Sequence, residues 1–206
     1  MARLPRVVVP GVPHHVTQRG ARRMRVFFSA DDYAAYQQIL RRQALRHRLD
    51  IWAYCLLPNH VHLIVVPFDS QGLAKPLGQT HHQYALRVNH RHRWTGHLWQ
   101  ERFASFPMDE PHLRAAIRYV LLNPVRAGLV SAATDWPHSS ARAHVLGEPD
   151  SLVNPRPGAE RIRDWQSFLS EERYPEETRA IARRGCIGRP LGSESFIDRL
   201  ETVTGR

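Results

Sequence analysis

The sequence predicts an α+β domain: a ferredoxin-like split β-α-β unit, an antiparallel sheet with helices on one face and the other face free, followed by a small, mostly helical C-terminal extension. Three observations predict it. Apolar periodicity switches between two and about 3.6 residues in the order β-α-β-β-α-β-α over the first 130 of 206 residues. The Pro58-Asn59 turn signal sits between two β-rich runs and makes the strongest hairpin of the chain. After about Val130 the pattern breaks into short segments punctuated by Pro137, Pro149, Pro155 and Pro157. We therefore expect a main domain over residues 1–130 and an accessory basic region over 131–206.

Pro13 to Gly20 reads as a short strand running into a basic turn, with Val16 and the β-branched Thr17 among polar neighbours. Ser29 and Asp32 have capping-box spacing, and Tyr33, Tyr36, Ile39, Leu40 and Ala44 then recur at helical spacing to about Leu49. Asp50 to Leu57 and His60 to Val66 are the paired strands of the hairpin. From Gly72 to His92, Leu73, Leu77, Tyr84, Leu86 and Val88 suit a helix whose start Pro76 and Gly78 can delay. Gly96 to Phe106 alternates apolar and polar residues as a fourth strand would. Asp109-Glu110-Pro111 opens a helix whose stripe is Leu113, Ala116, Ile117, Val120 and Leu121, and Asn123-Pro124 ends it. Beyond Val130 an amphipathic stretch covers Asp164 to Ser170. Arg183, Arg184 and Arg189 among glycines suggest a basic loop, and Phe196, Ile197 and Leu200 mark a last short helix.

Composition narrows the function. With 42% hydrophobic and 23% charged residues the chain is not a disordered tail. Its 29 basic against 19 acidic residues give a formal charge of +10 and a surface that attracts polyanions, nucleic acid first. Lys75 is the single lysine; arginine forks suit bidentate phosphate and base-edge contacts. Cys55 and Cys186 have no metal-ligand spacing, the N-terminus has no signal-peptide pattern, and apolar runs such as Leu63 to Val66 are too short to span a bilayer. A reduced, cytoplasmic protein with no membrane partner is the expectation.

Two constellations carry chemistry. His60 and His62, two apart in a strand, project from one face and can converge on one metal ion, while Val61 turns to the core. By spacing alone a pair of half-exposed histidines is the favoured reading. Tyr119 and Asn123 lie four apart on the flank of the helix that begins near Pro111, about 40° apart around its axis, with His112 between them in angle. Tyr119 could be a nucleophile beside a cationic group, and the Asn123 amide oxygen a third ligand for magnesium or manganese. Arg19, Arg22, Arg23 and Arg25, with Arg87, Arg91 and Arg93, are the candidates for DNA phosphate contact. Tyr33 and Tyr36 lie on an apolar stripe and read as core.

These residues resemble the HUH-type single-tyrosine transposases and, within them, the REP-associated tyrosine transposases of bacteria. The resemblance rests on P-H-H-V-T-Q-R-G at 13–20, L-P-N-H-V-H-L-I-V at 57–65, G-H-L-W-Q-E-R-F at 96–103 and Y-V-L-L-N-P-V-R-A-G-L-V at 119–130. Weaker likenesses at 135–140 and in R-P-L-G-S-E-S-F extend it over nearly the whole chain. It implies a catalytic domain over 1–130 in which His60 and His62 match the metal pair, Tyr119 the nucleophile and Asn123 the third metal-side position. Asparagine before proline there resembles the REP-associated branch, whereas the mobile insertion-sequence relatives typically have glutamine. Two departures, A-R-R-M-R after Gly20 and Gln100-Glu101 where glycine is frequent, touch DNA recognition and not catalysis.

The implied activity is a single-stranded DNA transesterase that needs a divalent metal, Mg2+ or Mn2+. It would cut and rejoin hairpin-associated DNA through a 5′-phosphotyrosine, acting as a monomer in preference to a homodimer. A non-catalytic, domesticated DNA-binding protein and a metal-dependent nuclease using water as nucleophile are the other classes compatible with these residues.

Overall fold

The computed structural model describes residues 6–153, 162, 164–170, 181 and 190–204. Strands β1 (His14–Arg19), β2 (Leu49–Leu57), β3 (His60–Pro67) and β4 (Ala104–Pro107) form one sheet in the order β2-β3-β1-β4, with every neighbouring pair antiparallel. Helix α1 (Ala30–Arg46) joins β1 to β2, α2 (Ala74–His92) joins β3 to β4, and α3 (Glu110–Leu121) follows β4. This is the split β-α-β arrangement expected of the sequence, with β1 and β3 as its central strands.

Local chemistry sets the helix starts. Asp32 reaches back over the first turn of α1 to accept the backbone N–H groups of Phe28 (2.8 Å) and Ser29 (3.1 Å). Asp109 accepts the backbone N–H of His112 at the start of α3, where Pro111 needs no donor partner.

Strand alternation sorts the side chains onto two faces. Val16, Leu56, Val61, Leu63 and Val65 pack with Tyr36, Leu40, Leu77, Tyr84 and Val88 of α1 and α2. Tyr33 and Tyr36 belong to this core, as the helical stripe predicts. On the opposite face Ala53, Cys55, Leu57, Ile64 and Phe106 pack against Leu113, Ala116, Ile117 and Val120 of α3. The two crossover helices thus share one face as expected, and α3 crosses the face expected to be free. Its unbroken apolar stripe requires a partner, and Ile64 and Phe106 supply one.

The fourth strand is shorter than its sequence pattern. Only Ala104–Pro107 pairs with β1, and residues 96–103 form a loop held by a single bridge from Gly20 to Trp99 and by the Gln100 N–H on the Arg19 carbonyl (2.9 Å). The alternation there arises from a loop that buries Leu98, Trp99 and Phe103. Past Asn123-Pro124 the chain makes one more turn, α4 (Asn123–Arg126), then α5 (Ala141–Leu146), α6 (Trp165–Ser170) and α7 (Glu194–Thr204).

The described part of the accessory region packs on the main domain. Ile162, Phe168, Ile181 and Leu191 join the core on the α3 face, and Phe196 and Leu200 of α7 pack against Val9. The basic loop expected around Arg183, Arg184 and Arg189 lies outside the described residues. Among the described residues no helix is long and apolar enough to cross a membrane.

Candidate active site

The register of β1 and β3 builds the site. Thr17 lies opposite His62 and Arg19 opposite His60, so these side chains share the α3 face, with His15 two residues before Thr17 on the same side. Between this surface and the end of α3 is a cavity of about 390 Å³ lined by His15, His60, His62, Arg19, Arg23 and Tyr119. Its rim includes Gln100, Glu101 and Arg102 of the loop before β4, and Ile181 of the accessory region.

The three imidazoles form a contiguous set. His15 and His62 are stacked at 5.2 Å with Nε2 of one and Nδ1 of the other 3.0 Å apart, and His60 meets His62 edge-on at 4.9 Å. The Tyr119 ring stands edge-on to both His62 (5.5 Å) and His15 (6.0 Å). Arg126 lies over the same ring, its guanidinium carbon 5.2 Å from the centroid, and its Nη1 donates to the Tyr119 carbonyl at 3.2 Å. The structure therefore brings Tyr119 to one cavity with His60 and His62, which precede it by 59 and 57 residues.

Burial sets the protonation of the histidines. It lowers His15 to about 3 and, helped by the charge of Arg19, lowers His60 to about 4; His62 is pushed well below the ordinary imidazole value, first by burial and then by the titrating rings of His15 and His60 and the Arg19 charge beside it. All three are neutral at pH 7, the form in which imidazole ligates a metal.

The residues fit a divalent ion in part. The Asn59 side-chain amide oxygen, Oδ1, 2.5 Å from His60 Nδ1, accepts the proton there and leaves the Nε2 lone pair for a ligand. His62 Nε2 is buried with no hydrogen-bond partner, which is costly unless something else coordinates it. No three His, Cys, Asp or Glu side chains among the described residues converge as a complete metal cage. Two imidazoles would thus supply part of a shell whose remaining positions are open to oxygen ligands.

Other expected site residues are placed differently. The Asn123 side chain does not line the cavity; its Nδ2 donates to the Tyr119 carbonyl at 2.9 Å and braces the backbone where α3 breaks at Leu122. His112 is held by Asp109, Nδ1 to Oδ1 2.5 Å, about 10 Å along the axis from Tyr119. Arg19 and Arg23 face the cavity, while Arg22, Arg25, Arg87 and Arg93 are exposed. Arg91 departs from its expected role in phosphate contact. It makes a two-pronged pair with buried Asp32 (2.5 and 2.8 Å), the carboxylate that caps α1, and so ties α2 to α1.

His15 was not singled out by sequence reasoning. The signal was available, since His15 and Thr17 share strand parity with the chemistry-bearing face of β3, but only the β1–β3 register reveals it. Gln18, whose Nε2 donates to the Glu101 carbonyl at 2.7 Å, was missed in the same way and anchors the rim.

With this geometry established, three comparisons bear on identity. Residues 9–122, more than half of the chain, match the family model described as "Transposase IS200 like". A Haemophilus influenzae protein described as a REP-associated tyrosine transposase is 29% identical over 108 residues, which are 47% of this chain and 61% of that one. The chain therefore spans about three-fifths of that relative's length. A solved REP-associated tyrosine transposase bound to a REP hairpin superposes with a TM-score of 0.60 at 20% identity, covering 76% of this chain and 94% of that one. That likeness is one of fold, and it extends to the same α+β arrangement of sheet and helices. On the match of residues 9–122, which spans the four strands and α3 with His60, His62 and Tyr119, the chain belongs to the IS200-like transposase family.

Proposed function

We propose that the protein is a metal-dependent single-stranded DNA transesterase in which Tyr119 is the nucleophile. The observation that carries this reading is the Tyr119 ring standing 5.5 Å from the His62 ring in a cavity lined by arginines. The Tyr119 hydroxyl oxygen would attack the scissile phosphorus; the new P–O(Tyr) bond forms as the P–O3′ bond breaks, and the tyrosine proton is balanced by the 3′-hydroxyl released. One phosphodiester replaces another, so the step runs in either direction and supports rejoining as well as cutting.

Arg19 and Arg23 are suited to hold the phosphate, and Arg126 puts positive charge beside the ring that attacks. His60 and His62 would hold the divalent ion, Mg2+ or Mn2+, whose chemistry here is polarisation of the phosphoryl oxygens; water and phosphate oxygens suit its remaining positions. Asn123 acts through the backbone of Tyr119 in this reading and not through the ion. A hairpin-forming DNA is supported as partner by the solved relative, which was bound to a REP hairpin.

The test is intact-mass analysis of the protein incubated with manganese and hairpin DNA carrying a single-stranded flank, beside Tyr119→Phe. A metal-dependent adduct mapped to Tyr119 and absent from the variant is expected. Cleavage without adduct would assign a nuclease that activates water, and binding with neither would assign a non-catalytic DNA-binding protein.

A further inference from the structure

We propose that Phe28, His92 and Trp94 form a stacking platform for an unpaired DNA base, separate from the cavity that holds Tyr119. The inference rests on the DNA-directed function proposed above and adds a second contact to it.

The three rings form one cluster at the end of α2. His92 and Trp94 are stacked at 4.6 Å and 26°, and Phe28 closes the group at 4.7 Å from His92 and 5.7 Å from Trp94. Trp94 remains 39% exposed. Phe68, the other exposed large aromatic among the described residues, has its face covered by the Arg48 guanidinium at 3.2 Å. A tryptophan stacked on one side and open to solvent is therefore particular to this place.

The backbone is held in an unfavourable form to produce it. Arg93 caps α2 in the left-handed conformation (φ 54°), which turns Trp94 back over His92, and Asn89 fixes the turn by accepting the Trp94 N–H on its carbonyl (2.8 Å) and donating Nδ2 to the Gly96 carbonyl (2.9 Å). Arg22 and Arg23, on the adjoining turn before Phe28, are also left-handed (φ 53° and 61°). Strain of this kind at residues other than glycine persists where the surroundings impose it and gathers at sites of function.

Charge selects the occupant. No acidic residue occurs from Gly20 to Phe28 or from Leu86 to Gln100, while those two segments carry Arg22, Arg23, Arg25, Arg87, Arg91 and Arg93. Arg91 is paired with Asp32, with Asp31 close by; the exposed Arg22, Arg25, Arg87 and Arg93 still leave the two segments that carry the platform with a positive balance. A second copy docked symmetrically would set arginines against arginines. A base attached to a phosphate backbone satisfies both the open ring and the charge, and stacking needs no particular base.

The platform is also within reach of the reacting site. The loop that leaves Trp94 arrives six residues later at Gln100 on the cavity rim, at most about 20 Å away, and is pinned to the turn by the Ala21 N–H on the Leu98 carbonyl. A short single-stranded flank can occupy both.

The test is equilibrium binding, by fluorescence anisotropy, of one DNA hairpin with three ends: a single-stranded thymidine tail, an abasic sugar-phosphate tail of equal length, and a blunt end. Trp94→Ala is expected to weaken binding of the thymidine-tailed hairpin by about 5- to 150-fold and to leave the abasic-tailed and blunt hairpins unchanged, while Trp94→Phe keeps most of the affinity. An equal loss on all three DNAs, or no loss on any, would overturn the platform while leaving the DNA-directed function standing. Absence of binding by the unaltered protein to every form would instead overturn that function. Sedimentation of the free proteins completes the test: a change of oligomeric state in Trp94→Ala would mark the cluster as a self-contact and also overturn the proposal, and an unchanged state is expected.

Discussion

The two faces of the sheet use alternate residues of the same strands and reach opposite ends. Along β3, Val61, Leu63 and Val65 turn to α1 and α2 and are fully buried, while His60 and His62 turn to the α3 side and line the cavity. On the closed face the polar tips of the aromatic residues are satisfied: Tyr84 donates to the Val26 carbonyl at 2.7 Å, Tyr36 Oη pairs with His81 Nε2 at 3.0 Å, and Trp99 donates to the His81 carbonyl at 2.9 Å. On the α3 face two cavity-lining ring nitrogens, His15 Nδ1 and His62 Nε2, are buried with no hydrogen-bond partner; so are Trp52 Nε1, away from the cavity on that side, and Gln43 Oε1 of α1 on the other. The same strand thus packs an apolar core with one set of residues and lines a polar cavity with the alternate set.

The comparison breaks most sharply at Tyr119. Tyr119→Phe is expected to lower DNA cleavage by about 10⁴-fold or more with no change in folding, read from single-turnover rates and thermal melting. On the closed face, Leu63→Ala is expected to cost about 2–5 kcal/mol of stability by chemical denaturation, with metal affinity unaltered. His15→Phe keeps a ring against His62 but removes the nitrogen 3.0 Å from its Nδ1; metal affinity by calorimetry should fall roughly 10- to 100-fold, with stability retained.

The last effect concerns pH. Burial lowers His81 to about 3 and His14 to about 4, whereas both protonate near 6.5 in the unfolded chain. Each adds stability that is complete above about pH 6.5 and is lost as pH falls toward its folded value, because only the unfolded state takes up the proton in that window. His81→Gln should therefore flatten the fall in melting temperature between pH 6.5 and 4, by about 1.4 kcal/mol per pH unit at most.

Much of the framework was legible in the sequence. The Ser29–Asp32 spacing, the hairpin at Pro58-Asn59 and the α3 stripe are local signals, and each element formed where its signal lies. The H-x-H spacing likewise placed both histidines on one side of a strand. What was not legible depends on partners distant in sequence. The short β4 imitates a longer strand because a loop and a strand both bury alternate residues. Arg91 resembles any surface arginine until Asp32 is found 59 residues away. His15 gains its place only from the register with β3, and the side on which α3 packs is fixed by tertiary fit and not by its own pattern.

Neighbouring residues of β3 offer the most direct test, since His62 and Leu63 differ by one position and by face. Intact-mass detection of the protein–DNA adduct with manganese should be made on His62→Ala and Leu63→Ala at a temperature where both are folded. The account predicts a tyrosine adduct in Leu63→Ala and in the unaltered protein, and none in His62→Ala. An adduct that persists in His62→Ala, or that is lost equally from both variants while they remain folded, would contradict it.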